Sequence, residues 1–212
     1  MDELISALVI GQRIEAVSRA RALLENGVSR EQIIVDGLEP AMAHLDEKCT
    51  MEQFNLLEIM LVGRALTAVV KELYPDGTPR PATRGTVVLG ALEGDIHDIG
   101  KNIVKTVLEN KGFRVVDCGT NCPVARLVAT ATLEQARAIL ISGLITTVIP
   151  QVKTVKEVLT RTGMPQMQVL AGGAALKQST AQNLGVDYVA ATVFDGAHYL
   201  ENLDAGGCHD QP

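Results

Sequence analysis

From residue 86 onward, five short apolar runs rich in β-formers alternate with stretches of helical periodicity. The runs are TVVLGAL (86–92), RVVDCG (114–119), AILISGL (138–144), QVLAGG (168–173) and YVAAT (188–192). Between and after them lie KNIVKTVLENKG, VARLVATATLEQ, IPQVKTVKEVLTRTG, AALKQSTAQNLG and GAHYLENL. A strand that is apolar at successive positions is covered on both faces. Strands separated by helices can pair in parallel, with the helices supplying that cover. The pattern predicts an α/β domain over 86–203, a five-stranded parallel sheet in flavodoxin-like, Rossmann-like order.

The first 74 residues carry helical periodicity only. RIEAVSRARALLENG sets Ile14, Val17, Ala20, Leu23 and Leu24 on one face and ends in Asn26-Gly27, a helix stop. Ser29 followed by Gln32 forms a capping box for the next helix, and Pro40 within it predicts a kink or a fresh start. MEQFNLLEIMLVGRALTAVVKELY is a long apolar helix. With the opening segment these make a four-helix bundle over 1–74. Residues 75–85, with Pro75, Pro79 and Pro81, read as a semi-stiff linker, and 204–212 as a disordered tail.

Composition narrows the function classes. A net charge of -6 argues against a nucleic-acid backbone as partner, and 3% aromatic residues with no Trp argue against base stacking. The longest apolar stretch is too short to span a bilayer. No signal peptide is visible, and Cys49, Cys118, Cys122 and Cys208 show neither a disulfide framework nor zinc spacing. A cytoplasmic protein with reduced thiols is the expectation.

Ligands of open parallel sheets bind beyond the carboxyl ends of the strands. Three of those ends are unusual. The first carries EGDIHDIG, the third runs into SGLITT and the fourth into AGG. Taken singly, each has an ordinary explanation. A glycine pair is a turn, Ser142 can bond nearby backbone, and His97 can be a surface or structural histidine. Asp98 is best read as a helix N-cap. Asp95 and His97 are harder to dismiss, because two residues apart in a loop they can converge. Asp95 can hold Nδ1–H and leave Nε2 free for a metal. His44, His198 and His209 are far away in sequence, so such a metal must bring most of its own ligands, as a macrocycle does.

Asp95-Ile96-His97-Asp98-Ile99-Gly100, then Ser142-Gly143-Leu144, then Gly172-Gly173 resembles the DxHxxG…SxL…GG fingerprint of cobalamin-binding domains. There are 41 residues between Gly100 and Ser142, and 27 between Leu144 and Gly172, which fits that family. The N-terminal helices resemble the cap that accompanies this fold in methionine synthase and in corrinoid methyl carriers of anaerobic methyltransferase systems. The resemblance implies cobalamin, as methylcobalamin or cob(I)alamin, with His97 as lower axial ligand of cobalt in place of the cofactor's own base. It implies that Asp95 tunes His97 and that Gly94, Ile96, Asp98 and Gly100 belong to the same binding loop. The displaced nucleotide tail would run along Ser142 and Thr146, pack on Leu144 and pass close to Gly172 and Gly173. The helix from Phe54 to Met60 would shield the reactive corrin face.

Two departures stand out. Val148 occupies the position where methionine synthase continues its His–Asp relay with a serine, so the relay ends at Asp95. Phe54-Asn55-Leu56-Leu57 replaces the FLP often found at the start of the cap helix. The implied function is carriage of methyl from a substrate-specific methyltransferase to a second one acting on tetrahydrofolate or a thiol, with a reductive activator as a further partner. The chain is not expected to turn over alone. Two other classes share the fingerprint. One is the cobalamin subunit of an adenosylcobalamin mutase, which usually lacks such a cap; the other is a cobalamin-sensing regulator, which needs an output module. Cys118 and Cys122 read as buried, inert thiols.

Overall fold

The computed structural model describes residues 1–50, 56–75 and 84–204. The chain divides into two compact units, Met1–Thr78 and Pro79–Pro212.

In the first unit, helix α1 (Asp2–Val9) buries Leu4, Ala7 and Leu8. Gly11 turns the chain into α2 (Arg13–Glu25) with φ +72, and a Cβ there would stand 2.5 Å from the Leu61 side chain. Glycine is required on both counts. Helix α2 lies along α5 (Leu56–Leu73) through Ala16 and Ala20, whose small side chains admit close helix approach. Of the face expected, Ala20 is buried and Val17, Leu23 and Leu24 are partly buried, and only Ile14 departs from it. Ile14 is 79% exposed, and the alanines take the contact. Arg21 Nε on α2 donates to Glu72 Oε1 on α5 at 2.9 Å.

Helix α3 (Arg30–Ile33) starts on the expected capping box, with Gln32 N–H donating to Ser29 Oγ at 3.1 Å. It continues through a π turn (Ile34–Leu38) into α4 (Glu39–Thr50). Pro40 explains the π turn. It has no N–H to donate to the Asp36 carbonyl, and the Glu39 N–H reaches back five residues to the Ile34 carbonyl. The irregularity expected at Pro40 is thus a widened turn in a continuous helix.

The second unit is a five-stranded parallel sheet in the order β2-β1-β3-β4-β5, the flavodoxin-like arrangement. Its strands are β1 (Thr86–Ala91), β2 (Arg114–Asp117), β3 (Ala138–Ser142), β4 (Gln168–Gly172) and β5 (Tyr188–Ala190). Each ends one or two residues before its apolar run does, because the last residues of the run turn into the loops at the carboxyl edge. The helices are α6 (Ile99–Asn110), α7 (Val124–Leu133), α8 (Ile149–Arg161), α9 (Ala181–Leu184) and α10 (Val193–Asp204). Val88, Ile139 and Val169 face one core with α7, α8 and α9, while Leu89, Leu140 and Leu170 face another with α6 and α10. Covering both faces is what makes the strands apolar at successive positions.

The stretch AALKQSTAQNLG is not one helix. A 3₁₀ turn (Leu176–Gln178) stops at Ser179 in extended backbone, and Thr180 starts α9 by accepting from the Asn183 N–H at 3.2 Å. A threonine that can cap favours restarting the helix over extending it. Among the described residues, no helix is long and apolar enough to cross a membrane. Most of the expected linker, the start of the cap helix at Phe54 and the tail beyond Asp204 lie outside the described residues.

Candidate functional site

The sheet register brings four small residues into one row. Ala91 pairs with Ser142, Ser142 with Gly172, and Gly172 with Ala190. One step back on the same face the row is Leu89, Leu140, Leu170 and Tyr188, because side chains alternate with period two. On the α6/α10 side of the sheet, large side chains thus give way to almost none at the carboxyl edge. Gly196 of α10 continues this lining, since a Cβ on it would come within 3.2 Å of the Ala190 Cβ. This is a slot in which an elongated group can lie against backbone.

The loop after β1 stands beside this slot. Asp95 is 1% exposed, and both its oxygens are used. Oδ1 lies 2.7 Å from His97 Nδ1 and accepts from the His97 backbone N–H at 3.0 Å. Oδ2 accepts from the Leu144 N–H at 2.8 Å. Asp95 therefore ties the loop after β1 to the loop after β3. Its contact with Nδ1 directs Nε2 away from the carboxyl. The His97 side chain is half exposed, so Nε2 can reach a ligand, and Ile96 beside it is 73% exposed.

Asp98 occupies the N-cap position of α6, but its side chain makes no capping bond. Its ψ of -17 is helical, whereas an N-cap whose side chain folds back over the first turn holds extended backbone. Gly94 is exposed with φ +92, and Gly100 lies in the first turn of α6.

Leu144 enters the site through its backbone N–H. Val148 is buried in the core on the α7/α8 face and has no polar group to offer the His–Asp contact. The backbone amide of Leu144 completes Asp95 instead. Among the described residues, no group bonds the Ser142 hydroxyl, which is half buried, or the Thr146 hydroxyl, which is exposed in the 3₁₀ turn after β3. Gly172 and Gly173 differ in kind. Gly173 has φ +101, and a Cβ on it would stand 2.6 Å from the Gly143 carbonyl oxygen. Among the described residues, a Cβ on Gly172 would meet nothing closer than 3.6 Å, so none of them demands glycine there.

Residues that the fingerprint passes over also shape the site. A Cβ on Gly143 would strike the Leu176 side chain at 2.8 Å, so this glycine leaves room for Leu176 to pack against the loop after β3. Spacing alone marks Gly143 only as the filler between Ser142 and Leu144. Lys101 is 3% exposed and donates to Asp117 Oδ2 at 2.6 Å and to Asn102 Oδ1 at 2.9 Å. Burial pushes the Asp117 carboxyl up, but the Lys101 ammonium and the Gly119 N–H outweigh it and hold the group below its ordinary value. Cys118 and Cys122 are buried free thiols. Burial, with Cys118 adjacent, pushes the Cys122 thiol up to about 11, so it stays protonated and unreactive at neutral pH. Of the segment expected to shield a cofactor, Leu57 and Met60 are exposed apolar residues of α5.

The donor set decides what kind of group fits. Among the described residues, no three His, Cys, Asp or Glu side chains converge to hold a bare metal ion. One oriented imidazole beside a slot of small residues suits a metal that arrives in its own ring with a long appended tail.

Comparisons with known proteins agree with that chemistry. The B12 binding domain family matches residues 85–202. The dimethylamine corrinoid protein 1 of Methanosarcina mazei is 32% identical, over 97% of this chain and 96% of its own length. The structure of the monomethylamine corrinoid protein of Methanosarcina barkeri superposes with a TM-score of 0.79 at 25% identity, covering 94% of this chain and 96% of that one. The methanol:cobalamin methyltransferase complex of Methanosarcina barkeri contains a chain that matches with a TM-score of 0.56 and 26% identity, over 97% of this chain and 79% of that one.

Proposed function

The chain belongs to the corrinoid proteins built on the B12 binding domain, and from that premise we propose that it carries methyl groups on a cobalamin held base-off, with His97 as the lower axial ligand. When bound, the corrin supplies a cobalt that takes up and gives up methyl. The chain's own residues bind, orient and insulate. Nε2 of His97 meets the metal. Asp95 fixes the ring through Nδ1 and sets its basicity, and the Leu144 N–H keeps the Asp95 carboxyl from turning away. The unbonded hydroxyls of Ser142 and Thr146 receive polar atoms of the displaced tail, and Gly172 leaves room for it against the β4 backbone.

The observation that carries the proposal is the buried Asp95 carboxyl bonded at once to His97 and to Leu144. A buried aspartate that is fixed by a backbone amide and in turn holds a half-exposed imidazole suits an imidazole that must keep one tautomer and one direction.

Methylated amines are the donor class, in keeping with the names of the relatives, and two methyltransferases with a reductive activator are the partners. Demethylation of dimethylamine, compared with mono- and trimethylamine and methanol, with each purified methyltransferase in turn, tests the donor.

The ligand is tested on chain labelled with ¹⁵N-histidine, loaded with hydroxocobalamin and reduced to the Co(II) form. Electron paramagnetic resonance should show the two-line splitting of a ¹⁵N axial ligand. The three-line ¹⁴N pattern of the cofactor's own base should replace it in His97→Ala. A three-line pattern in the wild-type chain would sink the assignment.

A further inference from the structure

We infer that Asn121, in the turn between β2 and α7, is the positioning residue that holds the His97 loop in its ligand-presenting conformation; the inference rests on His97 being the cobalt ligand. Asn121 makes two reciprocal bonds to that loop. The Gly94 N–H donates to Asn121 Oδ1 at 2.8 Å, and the Asn121 N–H donates to the Asp95 carbonyl at 2.9 Å. They grip the backbone on either side of the Asp95 side chain, whose direction sets that of His97.

Packing does not hold the loop at this point. Gly94 is exposed, and among the described residues no heavy atom beyond its chain neighbours lies within 4 Å of where a Cβ on it would stand. Asp95 is buried and its carboxyl is held by the Leu144 N–H, but Ile96, His97 and Asp98 beyond it are exposed, so the backbone around Gly94 depends on its hydrogen bonds. Gln151 Nε2 donates to the Glu93 carbonyl at 2.7 Å and the Asp95 N–H to the Leu92 carbonyl at 3.0 Å, while the Gly94 N–H and the Asp95 carbonyl are held by Asn121.

The backbone of Asn121 is itself unusual. Its φ is +50, a region that non-glycine residues rarely occupy. Glycine would adopt it more readily, but glycine lacks the acceptor that Gly94 uses. Asparagine combines tolerance of left-handed backbone with a side-chain acceptor.

The platform under Asn121 is firm. The Cys122 N–H donates to the Ala91 carbonyl at 2.9 Å and the Ala91 N–H to the Gly119 carbonyl at 3.0 Å, which extends the β1–β2 ladder to the foot of the turn. The buried Lys101–Asp117 pair locks the start of α6 to the end of β2. The His97 loop thus leaves β1 and enters α6 on one rigid base, and Asn121 is the arm from that base to its middle.

Two variants separate the side chain from the backbone. Asn121→Gly keeps φ +50 without strain and removes the acceptor, so the chain stays folded. Asn121→Asp keeps an acceptor and tolerates the same backbone. In the apo-protein, hydrogen exchange of the Gly94 amide, read by NMR, should quicken about tenfold in Asn121→Gly and stay near wild type in Asn121→Asp. Titration with hydroxocobalamin should show about tenfold weaker binding in Asn121→Gly, the scale of lost outer-sphere support, and binding within about twofold of wild type in Asn121→Asp. Gly94 exchange and affinity unchanged in Asn121→Gly would overturn the inference, as would an Asn121→Asp chain as impaired as Asn121→Gly. The Gly94 exchange is read without cofactor, so it decides on Asn121 even if the His97→Ala spectra reject His97 as the ligand.

Discussion

Two adjacent glycines show how differently one residue type can be used at the sheet edge. Gly173 is required by the protein. Its φ of +101 disfavours any other residue, and a Cβ would collide with the Gly143 carbonyl at 2.6 Å. Gly173→Ala is therefore expected to lose about 3 kcal/mol of stability in urea unfolding. Gly172 sits in ordinary strand backbone with 3.6 Å of clearance, so Gly172→Ala should leave stability within about 0.5 kcal/mol. It should weaken hydroxocobalamin binding about 10- to 100-fold, because a methyl group would stand in the slot. If both variants lose stability equally, the slot is not an open one. Sequence alone marked both glycines as one motif. Their separate reasons depend on what lies across the loop, Gly143 in one case and open slot in the other.

Helix α6 is the element through which the site is anchored. It begins two residues after His97, and its N-terminal turn is held by Lys101 to Asp117 on β2. Removing one member of a buried pair strands the other, at a cost of several kcal/mol in full burial. Asp117 retains some exposure and can rehydrate, so Lys101→Met should cost about 1–3 kcal/mol in urea unfolding. The pH dependence has a definite sign. The folded Asp117 carboxyl titrates below its ordinary value, so the stability it contributes is present above that value. It is lost as pH falls through the lowered one. Lys101→Met should flatten this part of the acid limb; an acid limb identical to wild type would show that the pair does not set it. The sequence showed α6 by its period and placed its start close to residue 99. It did not show the pair, because Lys101 in a helix and Asp117 in a strand carry no local sign that 16 residues of chain bring them together.

At the scale of the molecule, the α/β unit closes both of its cores within itself, one on each face of the sheet. A chain starting at residue 84 is accordingly expected to fold cooperatively and to bind hydroxocobalamin, as read by circular dichroism and absorbance titration. Failure to fold alone would show that its cores are incomplete. The order of five strands and their helices was legible from residue 86 onward, because burial on both faces writes itself into every strand as successive apolar residues. The Asp-His, Ser-Leu and Gly-Gly pieces were legible for the same reason, each standing at the end of such a run. Local signals ran out where contacts are long-range. Ile14 reads as core yet is exposed, since two alanines pack α2 on α5 more closely. Asp98 reads as a side-chain cap yet bonds nothing as one, because its backbone is already helical. The sequence by itself showed the alternation of strands and helices, which follows from period, and set Asp95 and the imidazole of His97 at the end of the first strand, where the family resemblance places the site. Only the tertiary structure decided what holds that imidazole. The Leu144 amide, the Gly143 crossing and the Asn121 arm are backbone and turn contacts between segments far apart in the chain, and such contacts exist only once the sheet has set the loops side by side.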